Sequence, residues 1–126
     1  MKKIVTIMLV FFASVALFAN GSKENSGVDN SLQNVLDKGV FVLGLDDSFP
    51  PMGYRDENGE IVGFDIDTAT EVAKRLGVKL VAQPIDWSAK EQELATGNID
   101  CIWNGFTITP ERLEAMTFSE PYVDNA

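Results

Sequence analysis

The group in this sequence best suited to hold an anion is Arg112, in the run Thr109-Pro110-Glu111-Arg112. Thr109 has the chemistry of a helix N-cap, and Pro110 suits the first helical position, where its missing N–H costs nothing. A helix start already favours anions through its free N–H groups, and a guanidinium fork matches the two oxygens of a carboxylate. Basic residues usually stand at the other end of a helix, where the dipole favours them. On these four residues alone, a solvated surface arginine is an equal reading.

Residues on other loops favour the carboxylate clamp. Trp87 follows Pro84-Ile85-Asp86 and is either a core residue or, as its expected place on a loop favours, an aromatic wall for a ligand. Phe49, beside Pro50 and Pro51, carries the same two readings in even balance. Asp46 and Asp47 could be a solvated pair, with Asp46 the better placed to face a crevice. Gly105 would let backbone approach a ligand closely, and Asn104 and Thr107 can donate or accept hydrogen bonds. Asp65 and Asp67 open a helix, where acids are stabilising without any ligand, and are read as structural. The sequence has no histidine, which rules out histidine-based catalysis and histidine metal sites. No nucleophile with a base, no paired cleft acids and no metal-ligand cluster emerges, so neither an enzyme nor a cofactor is expected.

The elements that would carry these residues alternate. Ser31 caps a short helix with Leu32, Val35 and Leu36 on one face. Val40 to Leu45, VFVLGL, reads as a strand buried on both sides. Asp46 to Pro51 reads as a loop, and Asn58-Gly59 marks a hairpin. After Gly63-Phe64 the period becomes helical, with Ile66, Ala69, Val72, Ala73 and Leu76 on one face. Val78 to Gln83 is a second long strand. Ser88 and Glu91 suggest a capping box for a third helix ending before Gly97. Cys101 to Trp103 is a third strand, Thr109 starts a fourth helical turn, and Met116 to Phe118 is a further extended segment. This order argues an α/β lobe, a mostly parallel sheet with helices on both faces. Ligands of such sheets bind beyond the carboxyl ends of the strands, which is where Asp46, Phe49, Trp87, Asn104, Gly105, Thr107 and Arg112 would gather.

Residues 1–21 read as a cleaved secretory signal peptide: Lys2 and Lys3, an apolar run from Ile4 to Phe18, and the small-x-small site Ala19-Asn20-Gly21. The run is shorter than the ~20 apolar residues of a spanning helix. Residues 22–30 form a polar linker, and residues 31–126 the folded part. The only cysteine, Cys101, excludes an internal disulfide, offers no lipid-anchoring cysteine near the cleavage site, and reads as a buried structural thiol. Net charge is −9, and without Lys2 and Lys3 it is −11, so no basic patch for nucleic acid or anionic lipid is present.

The run Gly63-Phe64-Asp65-Ile66-Asp67, continuing through Leu76, resembles the signature of bacterial extracellular solute-binding proteins of family 3, the polar amino-acid receptors of ATP-binding cassette (ABC) importers. Thr68 departs from it, standing where an aliphatic residue is usual. Asn104 to Arg112 and Phe118-Ser119-Glu120-Pro121-Tyr122 are similar to two further runs of that family. The resemblance implies a type II periplasmic-binding-protein-like lobe, one half of a clamshell that closes on a free amino acid. It also implies a monomer, periplasmic or extracytoplasmic, that docks on membrane permease subunits. By position Arg112 and the Thr107 N–H would take the α-carboxylate, the Gly105 carbonyl and Asn104 would face the α-ammonium, Phe49 and Trp87 would flank the side chain, and Asp46 would lie near its tip. Members of the family are about twice as long, so a fragment that lacks the second lobe and return segment is expected, with weak binding or none alone. Related clamshells include periplasmic dehydratases and ligand-sensing domains, and both remain alternatives.

Overall fold

The computed structural model describes residues 27–125. The expected signal peptide and residues 22–26 of the linker lie outside the described residues. Every element named here belongs to the unit that begins at Ser31.

Strand β1 (Val40–Leu45) is the centre of a parallel sheet, flanked by β5 (Lys79–Pro84) and β6 (Cys101–Ile102). The second half of its apolar run, Leu43 to Leu45, is buried, while Val40 to Val42 are partly exposed. Leu43 and Leu45, each 0% exposed, pack with Ala69 of helix α2 (Phe64–Leu76), joined by Ile66, Leu80, Ala82, Cys101 and Trp103. On Gly44 an added methyl would lie 2.5 Å from Ile99 and 3.3 Å from Ile85, so these side chains close over β1 where it has none. Helix α1 (Ser31–Lys38) buries Val35 and leaves Leu32 and Leu36 exposed, so its expected apolar face is only partly covered. Asp100 binds it to the sheet: its carboxylate accepts from Lys38 Nζ at 2.6 Å and from the Val42 N–H at 2.7 Å. Cys101 pairs with Leu43, and its thiol is pushed up to about 12 by burial and then by the Asp100 charge.

The expected hairpin is present, but as part of a three-stranded antiparallel ribbon: β2 (Ser48–Phe49), β3 (Gly53–Arg55) and β4 (Ile61–Val62). Strand β2 lies within the segment read as a loop. The β3–β4 turn is organised by Asp56, whose carboxylate accepts from the N–H groups of Asn58 and Glu60, each at 2.9 Å.

Helix α2 starts without a side-chain cap. Its first N–H groups, of Phe64 and Asp65, donate to the carbonyls of Pro51 and Met52 at 2.9 Å instead. That backbone-on-backbone contact requires glycine at position 63, where φ is 132° and a methyl would lie 2.5 Å from the Met52 oxygen. The departure at Thr68 is accommodated locally, since its hydroxyl donates to the Phe64 carbonyl at 2.8 Å.

Two further expectations differ in detail. The Ser88–Glu91 capping box does not form. Asp86 caps a 3-10 turn (Trp87–Ala89) by accepting from the Ser88 N–H and hydroxyl, which hold its carboxyl below the usual range, and α3 (Lys90–Ala95) follows without a side-chain cap. Met116 has extended backbone, but residues 116–118 pair with no strand. Helix α4 (Pro110–Ala115) begins as expected, with Thr109 Oγ1 accepting from the Arg112 N–H.

Candidate functional site

Three strand ends meet at one edge of the parallel sheet. Leu45 lies beside Pro84, and Gly44 beside Ile102, so the chain leaves β1, β5 and β6 at one level. The N–H groups of Ile85 and Trp103 then donate to the carbonyls of Leu45 and Gly44. This carries Asp46, Trp87 and Asn104 to the same edge.

Asn104 is 5% exposed, and its amide is engaged inside the protein. Oδ1 accepts from the Asp46 N–H at 3.0 Å and Nδ2 donates to the Asp46 carbonyl at 3.3 Å, so this side chain clasps the end of β1 to the end of β6. The Asp46 carboxylate takes the Ser48 N–H at 2.9 Å and the Ser48 hydroxyl, building the turn into β2. That turn leads to Phe49, a half-exposed ring 3.5 Å from where a Gly105 side chain would begin. Gly105 is buried with φ of 56°, a conformation few other residues adopt.

A row of rings connects the remaining residues. Trp87, in the 3-10 turn and not on a loop, meets Phe106 edge-on with centroids 5.3 Å apart. Phe118 stacks on Phe106 at 5.4 Å. The Arg112 guanidinium lies 4.4 Å from the Phe106 ring centroid, and its Nη1 donates to the Thr107 carbonyl at 2.7 Å. Stacking and one hydrogen bond thus orient the fork. No carboxylate lies within salt-bridge distance of it among the described residues, although acids outnumber bases 19 to 10 in this chain.

Beside this guanidinium, two acceptors converge on a single nitrogen. Asn125 Nδ2 donates to the Gly105 carbonyl at 2.6 Å and to Thr107 Oγ1 at 3.1 Å. The loop therefore presents an oriented cation and, two residues apart, a pair of oxygens able to receive N–H groups. That is the polar pattern of a zwitterion's two ends.

Nothing in the local sequence pattern marks Phe106, Phe118, Tyr122 or Asn125 for a role. Phe106 and Phe118 belong to runs singled out by resemblance, yet nothing in their spacing shows that their rings stack. By sequence, Asp65 is a helix-opening acid stabilised by the dipole. It is instead 0% exposed, and its Oδ1 accepts from the Tyr122 hydroxyl at 2.7 Å. Burial raises its pKa above the usual carboxylate range, against the opposing effect of that hydrogen bond. Among the described residues, no group of three or more acids, cysteines or histidines could hold a metal, and no helix is long and apolar enough to cross a membrane.

Residues 41–126 match the family model for bacterial extracellular solute-binding proteins, family 3. The L-cystine-binding protein TcyJ of Escherichia coli is 32% identical over 109 residues, 86% of this chain and 41% of that protein. The arginine-binding extracellular protein ArtP of Bacillus subtilis is 31% identical, covering 97% of this chain and 45% of that one. The cyclohexadienyl dehydratase of Pseudomonas aeruginosa is 33% identical, covering 88% and 41%. Among solved structures, a substrate-binding protein of an ABC uptake transporter from Streptococcus pneumoniae with bound histidine superposes with a TM-score of 0.73 at 41% identity, covering 76% of this chain and 39% of that one. The arginine-bound form of domain 1 from TmArgBP superposes with a TM-score of 0.70 at 44% identity, covering 72% of each chain. This chain thus spans about two fifths of the length of the curated relatives it matches.

Proposed function

The chain belongs to the bacterial extracellular solute-binding proteins of family 3, and from that premise we propose that it carries one half of the binding cleft of an amino-acid receptor serving an ABC importer. Its fold is the incomplete lobe of a type II periplasmic binding protein. The ligand is a free amino acid, with arginine, histidine and cystine, the ligands in the names of its relatives, as first candidates. The receptor works outside the cytoplasm as a monomer and delivers its ligand to membrane permease subunits.

The observation that carries this reading is Arg112, a guanidinium oriented by Phe106 and the Thr107 carbonyl and lacking a carboxylate partner among the described residues. The ligand's α-carboxylate supplies that partner. Its ammonium takes the Gly105 carbonyl and Thr107 Oγ1, now held by Asn125. Trp87 and Phe49 stand beside the side chain, and Asp46 shapes the loop that brings Phe49 there. Asn104 acts by holding the Asp46 backbone in place.

The dehydratase among the relatives raises a catalytic reading. Among the described residues, the carboxyl with a raised pKa, Asp65, is fully buried, so no substrate can reach it. The binding proteins that predominate among the relatives make a binding protein and not an enzyme the better reading. The relative crystallised as an arginine-bound single domain supports binding by one lobe. This favours measurable affinity over the loss expected for half a cleft.

Isothermal titration of the chain with L-arginine, L-histidine and L-cystine tests the proposal. At least one should bind, and Arg112→Ala should weaken it at least threefold in this chain, rising to about 2–5 kcal/mol in a full-length receptor whose closed cleft buries the charge pair. Less than a threefold loss of affinity would overturn the role given to Arg112.

A further inference from the structure

Tyr122 and Asp65 stand 57 residues apart in the chain, and the half-exposed tyrosine reaches the buried acid with its hydroxyl. The Tyr122 hydroxyl donates to Asp65 Oδ1 at 2.7 Å and accepts from the Gly105 N–H at 3.1 Å. Its ring is held by Phe64, stacked at 6.4 Å, and by Trp103, edge-on at 6.1 Å. Asp65 is fully buried, and its Oδ2 and Trp103 Nε1 make no well-formed hydrogen bond among the described residues, although Trp103 and the Gly105 N–H both stand near enough to favour the charged carboxylate. A desolvated carboxyl with one oxygen unmatched is costly to keep, and it stabilises little by itself. What it does do is polarise the phenol, making the Tyr122 oxygen a better acceptor for the Gly105 N–H.

We propose that Asp65, acting through Tyr122, is a positioning residue for the ligand loop, fixing the Gly105 backbone from behind so that its carbonyl and Thr107 face the ligand. The inference rests on the reading of Gly105, Thr107 and Arg112 as the site for the amino acid's polar ends. The same short segment reaches the loop twice. Tyr122 holds the Gly105 N–H and Asn125 holds its carbonyl, so the stretch after α4 grips both polar groups of one residue. The Asn125 contact lies where the ligand ammonium would sit and is displaced when ligand arrives. The Tyr122 contact is behind the loop and persists. This assigns the buried acid of the Gly63-Phe64-Asp65 run a function at a distance: without touching ligand, it sets the position of an atom that does.

Amide hydrogen exchange of the isotope-labelled chain, followed by NMR in the absence of ligand, tests the relay directly. Tyr122→Phe removes only the hydroxyl. Protection of the Gly105 N–H should fall by about fivefold, the equivalent of about 1 kcal/mol for one hydrogen bond, while Leu43 and Leu45 stay as they were. Asp65→Asn keeps an acceptor for Tyr122 but removes its charge, and should give a smaller loss. Unchanged Gly105 protection in Tyr122→Phe overturns the relay, and unchanged protection in Asp65→Asn removes Asp65 from it. Titration with L-arginine, L-histidine and L-cystine forms the second arm. For whichever amino acid binds the wild type, Tyr122→Phe should weaken affinity severalfold, and an unaltered affinity overturns the positioning role. If none of the three binds, the proposed ligands fail, and exchange at Gly105 still decides for or against the relay.

Discussion

At the scale of single residues, the candidate site is shaped by polar groups whose partners were chosen by the fold. Asp65 shows this through pH. Burial raises its pKa, so the folded state holds its proton more tightly than the unfolded chain does. By linkage, what Asp65 contributes to stability is greatest below the ordinary carboxylate value and is lost as pH rises through the raised folded value, the reverse of an ion-paired acid. Denaturant unfolding of the wild type and of Asp65→Asn at about pH 4 and about pH 7 measures this. The difference should favour the wild type more at the lower pH, and the opposite ordering would contradict the assignment. The helix start that carries Arg112 was legible in the sequence because its signal is local, an N-cap and a proline within four residues. Asn104 and Asp65 were not. Asn104 bonds across 58 residues to Asp46, and Asp65 across 57 to Tyr122, distances at which no periodicity in the chain carries information.

At the scale of elements, backbone requirements decide what the sequence can show. The three parallel strands, the four helical segments and the hairpin were all readable from apolar runs and periods. The details that failed were contests between neighbouring polar groups. Asp86 captured Ser88 before Ser88 could cap a helix, which drew Trp87 into a 3-10 turn. Asp56 built the hairpin turn by a side-chain bond that runs over four residues. Gly63 is the most exposed to substitution of these backbone positions, since the start of α2 borrows the carbonyls of Pro51 and Met52. Gly63→Ala forces an L-residue to φ near 132° and a methyl against backbone oxygen. Strain alone should cost about 1–3 kcal/mol. Thermal unfolding should show a clear drop in midpoint, and a midpoint equal to the wild type would refute the account of this junction.

At the scale of the whole molecule, a strongly acidic chain carries a candidate site centred on a cation. With 19 acidic and 10 basic residues, self-repulsion opposes compactness, and salt screens it. Added sodium chloride should therefore raise the thermal midpoint, and a fall would show that attractive pairs such as Lys38–Asp100 outweigh the net repulsion. The α/β alternation made the architecture readable from the sequence. The aromatic row of Trp87, Phe106 and Phe118 was not, because it draws on three separate segments and exists only once the sheet has brought them together.

Cys101 is the sole thiol in the chain, and it lies in the pairing of β1 with β6, its pKa pushed up to about 12. Such a sulfur is inert to alkylating reagents near neutrality, because the thiolate they need is scarce. It becomes reactive when the sheet parts. The protein thus carries a natural clock for its own opening: the rate of iodoacetamide capture at Cys101 should count excursions of the central strands, and any ligand that ties the strand ends together should slow it.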